Sequence, residues 1–596
     1  MNKNNRYTFS PMINWFNPKQ LMNTALKVVI SGTFASYADK REMQAALDLS
    51  KQFEDFNEDE IWIDFVSDTG DGFDSTYTVA DLVTQDLKIK LDPENKFTQN
   101  MDKEFTLLSG SIAIFGGDQV YPTPSNRNYE SRFKIPFSSA LIKNCKDNSG
   151  KKLFAIPGNH DWYDGLGNFI KIFCQQRKIG NWQTLQHRSY FAIKLPHNYW
   201  LWAIDVQLNS DIDKPQLDYF EHIAKNEMKK GDNVILVTAE PSWLYKVIHR
   251  NDESYKRLKF FEQEFITKGD KFKLVVTLTG DLHHYSRYEE FKKTDSGETY
   301  INHLITAGGG GAFLHPTHNL PEVLTNLNER NDPILKDTQY KDPKLQSCFP
   351  TKQTSQGLAN RILLFPFRNF AFGFLLCSIQ LILAWVLQSK PLSDGNYFMQ
   401  QLANVNNSSD FFKNLGNSLW LNPPAAIISI LVVVGFFLFA DNKAGKTFYR
   451  CLGALHGGIQ LLLMFTYMWF FSWFNFKLWG IKDFWFVFVY FWEVLLIGTV
   501  IGGFIMGVYL WFCNRFLNTH IDVSFSSIHN KHYKNFLRMH ITKEGFEIYP
   551  IGIKRVVTNW IQCDSGESIK FVSDDKPEYY LIEPPIIIKS SYQNNC

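Results

Sequence analysis

A short apolar run ends in a polar turn at Phe154-Ala155-Ile156-Pro157-Gly158-Asn159-His160-Asp161. The apolar residues predict a buried strand, and the Pro and Gly residues predict its end. The Asn159 amide oxygen can bind a metal, and His160 can exchange a proton with a reacting group if Asp161 fixes its tautomer. A histidine in a turn is usually structural, but this tetrapeptide at a strand end favours a catalytic α/β domain.

Four other peptides repeat this placement in the first half of the chain. Each follows a run of strand length, and the carboxyl ends of such strands carry the working loops of sheet-based enzymes. They are Ser67-Asp68-Thr69-Gly70-Asp71, Gly117-Asp118-Gln119-Val120-Tyr121, Ala239-Glu240-Pro241 and Gly280-Asp281-Leu282-His283-His284. The predicted strands are 61–66, 111–115, 153–156, 199–204, 233–238, 273–278 and 302–306.

These residue types suit the hydrolysis of a phosphate ester by two metal ions about 3.5 to 4 Å apart, which needs a bridging carboxylate and further Asp, Asn and His ligands. Asp118 suits the bridging position because it follows Gly116-Gly117, where the backbone must turn tightly. Its carboxylate also has one oxygen for each ion. Alone, Gly-Gly-Asp is equally an ordinary turn. The five peptides together favour a metal centre.

From about residue 61 to residue 318 the chain resembles the calcineurin-like metallophosphoesterase superfamily, and especially its large membrane-associated members. The residues that carry the resemblance are 65–72, Gly117-Asp118 with Tyr121-Pro122, 158–165, 280–285 and 310–318. The resemblance implies a four-layer αββα sandwich with a dinuclear metal site at its rim.

The resemblance also implies roles for individual residues. It makes Asp68, Asp118 and His283 ligands of the first metal. It makes Asp118 and Asn159 ligands of the second, with His160 as the catalytic imidazole. Further polar residues are expected at the substrate pocket, or else only support its loops: Asp71, Tyr121, His284, Tyr285, His315 and His318.

The chain departs from the family pattern at three positions. Gly70 stands where the first motif has a histidine, with Asp71 beside it as a substitute. Ala239 stands at the position of another histidine, which leaves Glu240 as the candidate ligand, and Asp281 replaces the first histidine of the last motif. Carboxylates in place of imidazoles favour Mn²⁺, Fe or Mg²⁺ over Zn²⁺ and predict a weak second metal site.

The composition distinguishes the two halves of the chain. The 62 Lys and Arg residues nearly balance the 60 Asp and Glu residues, which argues against a nucleic-acid partner. The eight cysteines have no regular spacing, which indicates reduced thiols. Many of the 52 Phe and 16 Trp residues lie between about 365 and 516, which predicts a membrane region.

Four apolar segments predict four membrane-spanning helices at 370–387, 425–440, 452–474 and 484–512. The second is marginal, because a span needs about 20 apolar residues. The predicted division of the chain is an N-terminal helical segment at 1–56, a metallophosphoesterase domain at 57–318, a linker at 319–365, an all-α transmembrane region at 366–515 and a small β-rich cytoplasmic tail at 516–596.

Basic residues next to the predicted spans indicate the orientation. They predict that the catalytic domain and both termini face the cytoplasm, and residues 1–20 show no secretory signal. We expect an integral protein of the bacterial inner membrane. Gly498, Gly502, Gly503 and Gly507 predict close helix packing in the last span, within the chain or between copies of a homo-oligomer.

The sequence therefore predicts a membrane-anchored phosphoesterase that uses two divalent cations and metal-activated water on a phosphorylated substrate. The substrate class is a phosphate mono- or diester or a diphosphate, with a lipid-linked phosphate among the candidates. The alternative is a degenerate domain that binds a metal or a phosphorylated ligand as a sensor or scaffold at the membrane. The missing histidines at positions 70 and 239 support that alternative.

Overall fold

The computed structural model describes residues 7–34, 53–93, 103–144, 150–206, 212–248, 253–294, 297–325, 327, 341–389, 391, 395–441, 447–481, 483–565 and 568–589. The chain forms two compact units. One contains Met1–Ile13, Asn23–Ser355 and His529–Cys596, and the other contains Asn14–Met22 and Gln356–Ile528. Of the N-terminal segment predicted to be helical, Pro18–Phe34 form helix α1, whereas Glu54–Asp55 form a strand. Residues 1–6 and 35–52 of that segment lie outside the described residues.

The strands all belong to the first unit. In chain order they are β1 Glu54–Asp55, β2 Ile61–Val66, β3 Leu87–Ile89, β4 Phe105–Leu107, β5 Ile112–Phe115, β6 Lys152–Ala155, β7 Lys178–Ile179, β8 Trp182–Thr184, β9 Phe191–Leu195, β10 Tyr199–Ala203, β11 Asn233–Val237, β12 Lys273–Thr279, β13 Tyr285–Lys293, β14 Thr299–Ala307, β15 Lys344–Phe349, β16 Lys534–Thr542, β17 Gly545–Arg555, β18 Ile561–Ser565, β19 Ser568–Val572, β20 Glu578–Leu581 and β21 Ile586–Lys589.

Two large sheets organise the described part of this unit. The first has the strand order β1-β9-β10-β11-β12-β14-β13-β15. The second has the order β20-β17-β16-β2-β5-β6-β8-β7, with β21 paired to β17. Two short pairs, β3-β4 and β18-β19, lie apart from them.

The described residues also form several short 3₁₀- and π-helical segments. The other regular elements among the described residues are α-helices. In chain order they are α2 Phe73–Val83, α3 Asn126–Asn128, α4 Ile135–Asn144, α5 Asn159–Trp162, α6 Gly167–Phe173, α7 Lys214–Asn226, α8 Ser242–Ile248, α9 Ser254–Phe261, α10 Lys352–Ala359, α11 Phe365–Arg368, α12 Phe370–Gln388, α13 Phe398–Leu402, α14 Ser408–Leu421, α15 Pro423–Phe439, α16 Thr447–Trp473, α17 Asp483–Glu493, α18 Thr499–Phe512 and α19 Ile521–Ser526.

Apolar side chains on both faces of each sheet produce four layers. The core between the sheets joins Ile63 and Ile114 of the second sheet to Ile193, Leu201 and Ile235 of the first. The other face of the second sheet packs on a core that includes residues of α2 and α4, and the other face of the first sheet packs on residues of α7 and α9. The αββα sandwich expected from the resemblance is confirmed.

The predicted strands are present, and their direction explains how the motifs meet. β2, β5 and β6 run parallel, as do β10, β11 and β12. The carboxyl ends of parallel strands lie at one edge of a sheet. The polar motifs that follow β2, β5, β6, β11 and β12 therefore share one rim of the sandwich.

Two segments belong to the sheets although the sequence did not predict it. The predicted linker at 319–365 contains β15, which pairs with β13. The predicted tail is rich in strands, as expected, but its strand β16 pairs antiparallel with β2. The tail is therefore part of the second sheet and not a separate appendage, because the apolar residues of β16 complete the core beside β2.

The second unit is helical. By length and composition three helical segments are apolar enough to cross a membrane: Phe370–Gln388, Thr447–Leu478 and Phe484–Leu517. The helix at the second predicted span, α15, passes only together with α14, to which it is joined at a bend of 109°. The described residues thus hold three such helices, or four if the bent pair counts as one span.

The glycines near the end of this unit pack against helices of the same chain. A Cβ atom added to Gly503 would lie 3.1 Å from Pro366, and one added to Gly507 would lie 2.9 Å from Phe365. Close packing within the chain is therefore present, whereas association between copies stays a prediction.

Candidate functional site

Backbone hydrogen bonds hold the motif loops together at the rim. The Asp68 N–H donates to the Gly117 carbonyl at 3.0 Å. The His160 N–H donates to Asp118 Oδ1 at 2.8 Å, and the Asp281 N–H donates to Asp68 Oδ2 at 2.9 Å. Each aspartate is thus fixed by the loop of another motif.

Three of these aspartates have a left-handed backbone, with φ of 59° at Asp68, 49° at Asp118 and 65° at Asp281. Aspartate tolerates this region better than most residues, and such conformations concentrate at functional sites. Neighbouring glycines allow the close approach of the loops. A Cβ atom on Gly158 would lie 2.1 Å from Asp118 Oδ1, and one on Gly280 would lie 2.5 Å from Asp68 Oδ2.

The hydroxyl group of Tyr121 lies at the centre of the predicted first metal site. Its oxygen is 3.0 Å from Asp68 Oδ1, 3.1 Å from Asp118 Oδ2 and 3.0 Å from His283 Nε2. One O–H hydrogen can serve only one of these three atoms at a time. The cluster therefore has more hydrogen-bond acceptors than donors, which favours the binding of a cation.

A carbonyl group sets the tautomer of His283. Its Nδ1 lies 2.7 Å from the carbonyl oxygen of Phe313, which can only accept a hydrogen bond. Nδ1 therefore carries the hydrogen, and Nε2 keeps its lone pair toward Tyr121 and Asp68. Metal-binding histidines are oriented in the same way by their other ring nitrogen.

The pKa values of the acidic groups in this cluster are raised. Burial, together with the charge of Asp281, raises the pKa of Asp118 to about 8. Burial and the charges of Asp118 and Asp281 hold the pKa of Asp68 well above its usual range. A positive charge nearby would lower the pKa of both carboxyl groups.

The donor set fits a divalent cation by its chemistry. Carboxylates, an imidazole and a phenol surround one point, and the buried Asn159 Oδ1 has no hydrogen-bond partner among the described residues. In the described part of the chain, no group of three or more His, Cys, Asp or Glu side chains could by itself hold a metal ion. The donors instead meet at the Tyr121 hydroxyl.

His160 lies beside this cluster in a defined tautomer. Its Nδ1 is 2.9 Å from the Pro122 carbonyl oxygen and must carry the hydrogen, which leaves the lone pair on Nε2. Burial lowers the pKa of His160 to about 4, although the Pro122 carbonyl and nearby carboxylates act in the other direction. The ring is therefore uncharged at neutral pH.

Asp161 has a different role from the one predicted. Its carboxylate accepts hydrogen bonds from the Gly158 N–H at 2.9 Å and from the Tyr129 hydroxyl. The Pro122 carbonyl makes the contact to His160 Nδ1 that was expected of Asp161. Asp161 therefore stabilises the turn before α5, because it closes the N-terminal cap of that helix.

The departures from the family pattern have physical causes. Gly70 has a φ of 69°, and a Cβ atom there would lie 2.5 Å from the Gln119 carbonyl oxygen, so the loop has no room for a histidine. The Ala239 methyl group packs against Gly117 in the loop that bears Asp118. Asp281 accepts a hydrogen bond from the Tyr245 hydroxyl. Glu240 is half-buried, and its role as a metal ligand stays a prediction.

The residues predicted for the substrate pocket do not all lie together. His315 is stacked on His283, with ring centres 4.0 Å apart. His284 is buried, and His318 Nδ1 lies 2.8 Å from Ser355 Oγ. Tyr285 lies in the core between the two sheets, where its hydroxyl donates to Glu583 at 2.5 Å, because strand β13 begins at this residue.

Backbone groups hold Asp71 in place. It is fully buried, and both of its carboxylate oxygens accept backbone N–H groups, from Ile13 at 2.9 Å and from Phe313 at 3.0 Å. It therefore does not replace the missing histidine at position 70.

The sequence predicted Tyr121 in the substrate pocket and did not predict that its hydroxyl lies between the predicted metal ligands Asp68, Asp118 and His283. The available signal was its spacing, three residues after Asp118 in the same loop. Tyr245 had no signal, since it lies inside α8 and reaches Asp281 only in the folded chain.

A comparison with curated proteins found no match. Several solved structures show weak similarity, among them three with a TM-score of 0.27 each. These three are the GAP50 anchor in the inner membrane complex of Plasmodium (12% identity, 42% of this chain and 73% of that chain), the purple acid phosphatase PPD1 from yellow lupin, Lupinus luteus, seeds (11%, 44% and 45%) and PhoD (10%, 43% and 58%). These values are too low to support an assignment.

The comparison with family models gives a clear result. Residues 61–285 match the model of the calcineurin-like phosphoesterases. The match begins at strand β2 and ends at Tyr285, so it contains all five motifs. Residues 61–285 therefore form a calcineurin-like phosphoesterase domain.

Proposed function

We propose that this chain is a metal-dependent phosphoesterase that works at a membrane and hydrolyses a phosphate mono- or diester or a diphosphate. The observation that carries the proposal is the meeting of Asp68, Asp118 and His283 around the Tyr121 hydroxyl. The match of residues 61–285 to the calcineurin-like phosphoesterase model supports the same reaction class.

The chain's own side chains would hold two divalent cations. Asp68, Asp118, His283 and Tyr121 would bind one, and Asp118 and Asn159 would bind the other. Asp281 and Glu240 are further candidate ligands. When bound, such cations would activate water and neutralise the charge of the phosphate. The preponderance of oxygen donors favours Mn²⁺, Fe or Mg²⁺.

His160 would move the proton. Because its Nδ1 hydrogen is held by the Pro122 carbonyl, Nε2 is the atom that can accept a proton and return it to the leaving oxygen. The backbone N–H of the same residue holds Asp118, so the imidazole has a fixed distance from the cluster.

The chain topology supports a membrane anchor with an even number of spans. The helical unit is inserted between β15 and β16, which both belong to the phosphoesterase unit. Because the chain leaves the phosphoesterase unit after β15 and returns to it at β16, the inserted segment must begin and end on the same side of the membrane. Three apolar helices cannot achieve this, whereas the bent pair of α14 and α15 would supply a fourth crossing.

The orientation follows from the flanking charges. Arg361 and Arg368 precede the first apolar helix, and Arg515 ends the last one. Lys443 and Lys446 also belong to this pattern but lie outside the described residues. We infer that the phosphoesterase unit faces the cytoplasm of a bacterial cell and acts on substrate at that membrane face, where a lipid-linked phosphate is a candidate.

The second candidate function is a sensor or scaffold that binds a metal or phosphorylated ligand without turnover. The absence of a side chain at Gly70 and the methyl group of Ala239 favour it, because both remove an imidazole from the centre.

Hydrolysis assays separate the two functions. We expect the purified full-length protein with Mn²⁺ to hydrolyse p-nitrophenyl phosphate or bis-p-nitrophenyl phosphate. His160→Ala should reduce kcat about 10²- to 10⁴-fold because it removes the proton-transfer group. His222→Ala, on the exposed surface of α7, is the matched control. Equal rates for all three proteins would refute the catalytic role, and Mn²⁺ binding without turnover would favour the sensor.

A further inference from the structure

The peptide group between Ala312 and Phe313 is held from both sides by buried charged residues. Lys534 Nζ donates to the Ala312 carbonyl oxygen at 2.6 Å. The Phe313 N–H donates to Asp71 Oδ2 at 3.0 Å. Both side chains are fully buried. An ammonium and a carboxylate thus fix the two polar atoms of one peptide.

The loop that contains this peptide controls two groups of the candidate metal centre. The next carbonyl, of Phe313, accepts the hydrogen bond from His283 Nδ1 at 2.7 Å. The Ala312 N–H donates to the Asp68 carbonyl oxygen at 2.9 Å. A shift of the peptide would therefore turn the His283 ring and move the backbone of Asp68.

Asp71 is itself held firmly, so it can act as an anchor. Its Oδ1 accepts the Ile13 N–H at 2.9 Å, and its own carbonyl oxygen accepts a hydrogen bond from Arg132. Burial raises the pKa of Asp71, and the charges of Arg132 and Lys534 act against this effect. The carboxylate thus has cationic neighbours on two sides.

We propose that Asp71 and Lys534 are positioning residues of the metal centre, which fix the Ala312–Phe313 peptide and thereby point His283 Nε2 toward Asp68 and Tyr121. The inference rests on the proposed function, since it concerns the same centre. Neither residue contacts the metal ligands through its own side-chain atoms in this arrangement; both act through the loop. Removal of such outer partners typically weakens metal binding about 10- to 100-fold.

Metal affinity of the full-length protein tests this inference. Mn²⁺ binding is measured by equilibrium dialysis for the wild type, Asp71→Asn and Lys534→Met. In Asp71→Asn the amide NH₂ would face a backbone N–H, so at least one hydrogen bond is lost. Asp74→Asn is the matched control, because Asp74, in the first turn of α2, forms a partly exposed ion pair with Lys531, which lies just before β16.

We expect the Kd for Mn²⁺ to rise about 10- to 100-fold in Asp71→Asn and Lys534→Met and to stay unchanged in Asp74→Asn. Excess Mn²⁺ should restore kcat toward the wild-type value, which a general folding defect would not allow. Lys534→Met keeps the length of the side chain. If Asp71→Asn does not fold, the Kd for Mn²⁺ of Lys534→Met tests the inference.

Equal Mn²⁺ affinities in the wild type and both variants would contradict the positioning roles of Asp71 and Lys534 but not the proposed function. Wild-type protein that binds Mn²⁺ but does not hydrolyse either aryl substrate would overturn the proposed function, and the affinities would still decide the roles of Asp71 and Lys534. Wild-type protein that binds no Mn²⁺ would overturn both.

Discussion

At the scale of single residues, Tyr121 links the parts of the candidate centre that the sequence could only place separately. The order of Asp68, Asp118, Asn159 and His283 along the chain predicted the cluster, because each follows a strand whose carboxyl end reaches the same rim. The partners of Asp161 and Asp71 could not be predicted in this way. A buried carboxylate is satisfied by whichever N–H groups the folded loops bring to it, and here these are backbone groups.

The Tyr121 hydroxyl is open to a direct test. Tyr121→Phe keeps the ring, which lies 4.5 Å from the ring of His160, and removes only the oxygen. We expect the Mn²⁺ concentration for half-maximal hydrolysis to rise at least about 10-fold, because one donor of the first site is lost.

Tyr579→Phe, on a half-buried tyrosine of strand β20, is the control for the loss of a hydroxyl. If Tyr121→Phe and Tyr579→Phe gave the same Mn²⁺ dependence, the phenol oxygen would have no role as a donor.

At the scale of elements, burial explains which strands the sequence could predict. β2 is apolar except for Asp64 because both of its faces are covered, and the structure has it at the predicted bounds. β15 was missed because it is a half-buried edge strand with a mixed composition. The sequence predicted a β-rich tail, but no local pattern could show that β16 pairs with β2 at the other end of the chain.

A buried ion pair ties β16 to β2. Arg538 Nε donates to Asp64 Oδ1 at 2.7 Å, and both side chains are almost fully buried. The same guanidinium also donates to four carbonyl groups, those of Leu82, Val83, Gln85 and Leu107. The Arg538 side chain therefore connects β16 to β2 and to the segments that contribute these carbonyl groups.

Arg538→Met should destabilise the phosphoesterase unit by about 3 to 5 kcal/mol, because it leaves the buried Asp64 charge unpaired. Pulse proteolysis across a urea series measures the loss as a lower midpoint. Arg555→Met, at the exposed end of the neighbouring strand β17, should leave the midpoint unchanged. Identical midpoints for the two variants would contradict a locking role for Arg538.

At the scale of the whole molecule, the chain order combines a phosphoesterase unit with an inserted helical unit. Composition predicted the apolar helices, and three of them meet the length and hydropathy of a span. The division into consecutive domains was harder to predict, because the chain returns to the second sheet after the helices. Local sequence patterns predict single segments, whereas a sheet can combine segments that lie far apart in the chain.

Membrane insertion has a testable consequence. We expect the protein, expressed in a bacterial cell, to stay in the membrane pellet after an alkaline wash, because its apolar helices would lie in the hydrocarbon core. Protease added outside intact spheroplasts should leave the phosphoesterase unit undigested, whereas disrupted spheroplasts should show its cleavage. Release into the wash would exclude the membrane anchor, and digestion in intact spheroplasts would exclude the cytoplasmic orientation.

The Mn²⁺ dependence of aryl phosphate ester hydrolysis, with Asp118→Asn beside the wild type, tests the central claim most directly. Asp118 is the carboxylate that contacts Tyr121 and the His160 N–H, so both predicted metal sites depend on it. We predict a rate that saturates with Mn²⁺ in the wild type and in Asp218→Asn, an exposed control on α7, and a loss of about 10²-fold or more in Asp118→Asn. A rate that is independent of Mn²⁺, or equal in Asp118→Asn and the wild type, would contradict the metal centre.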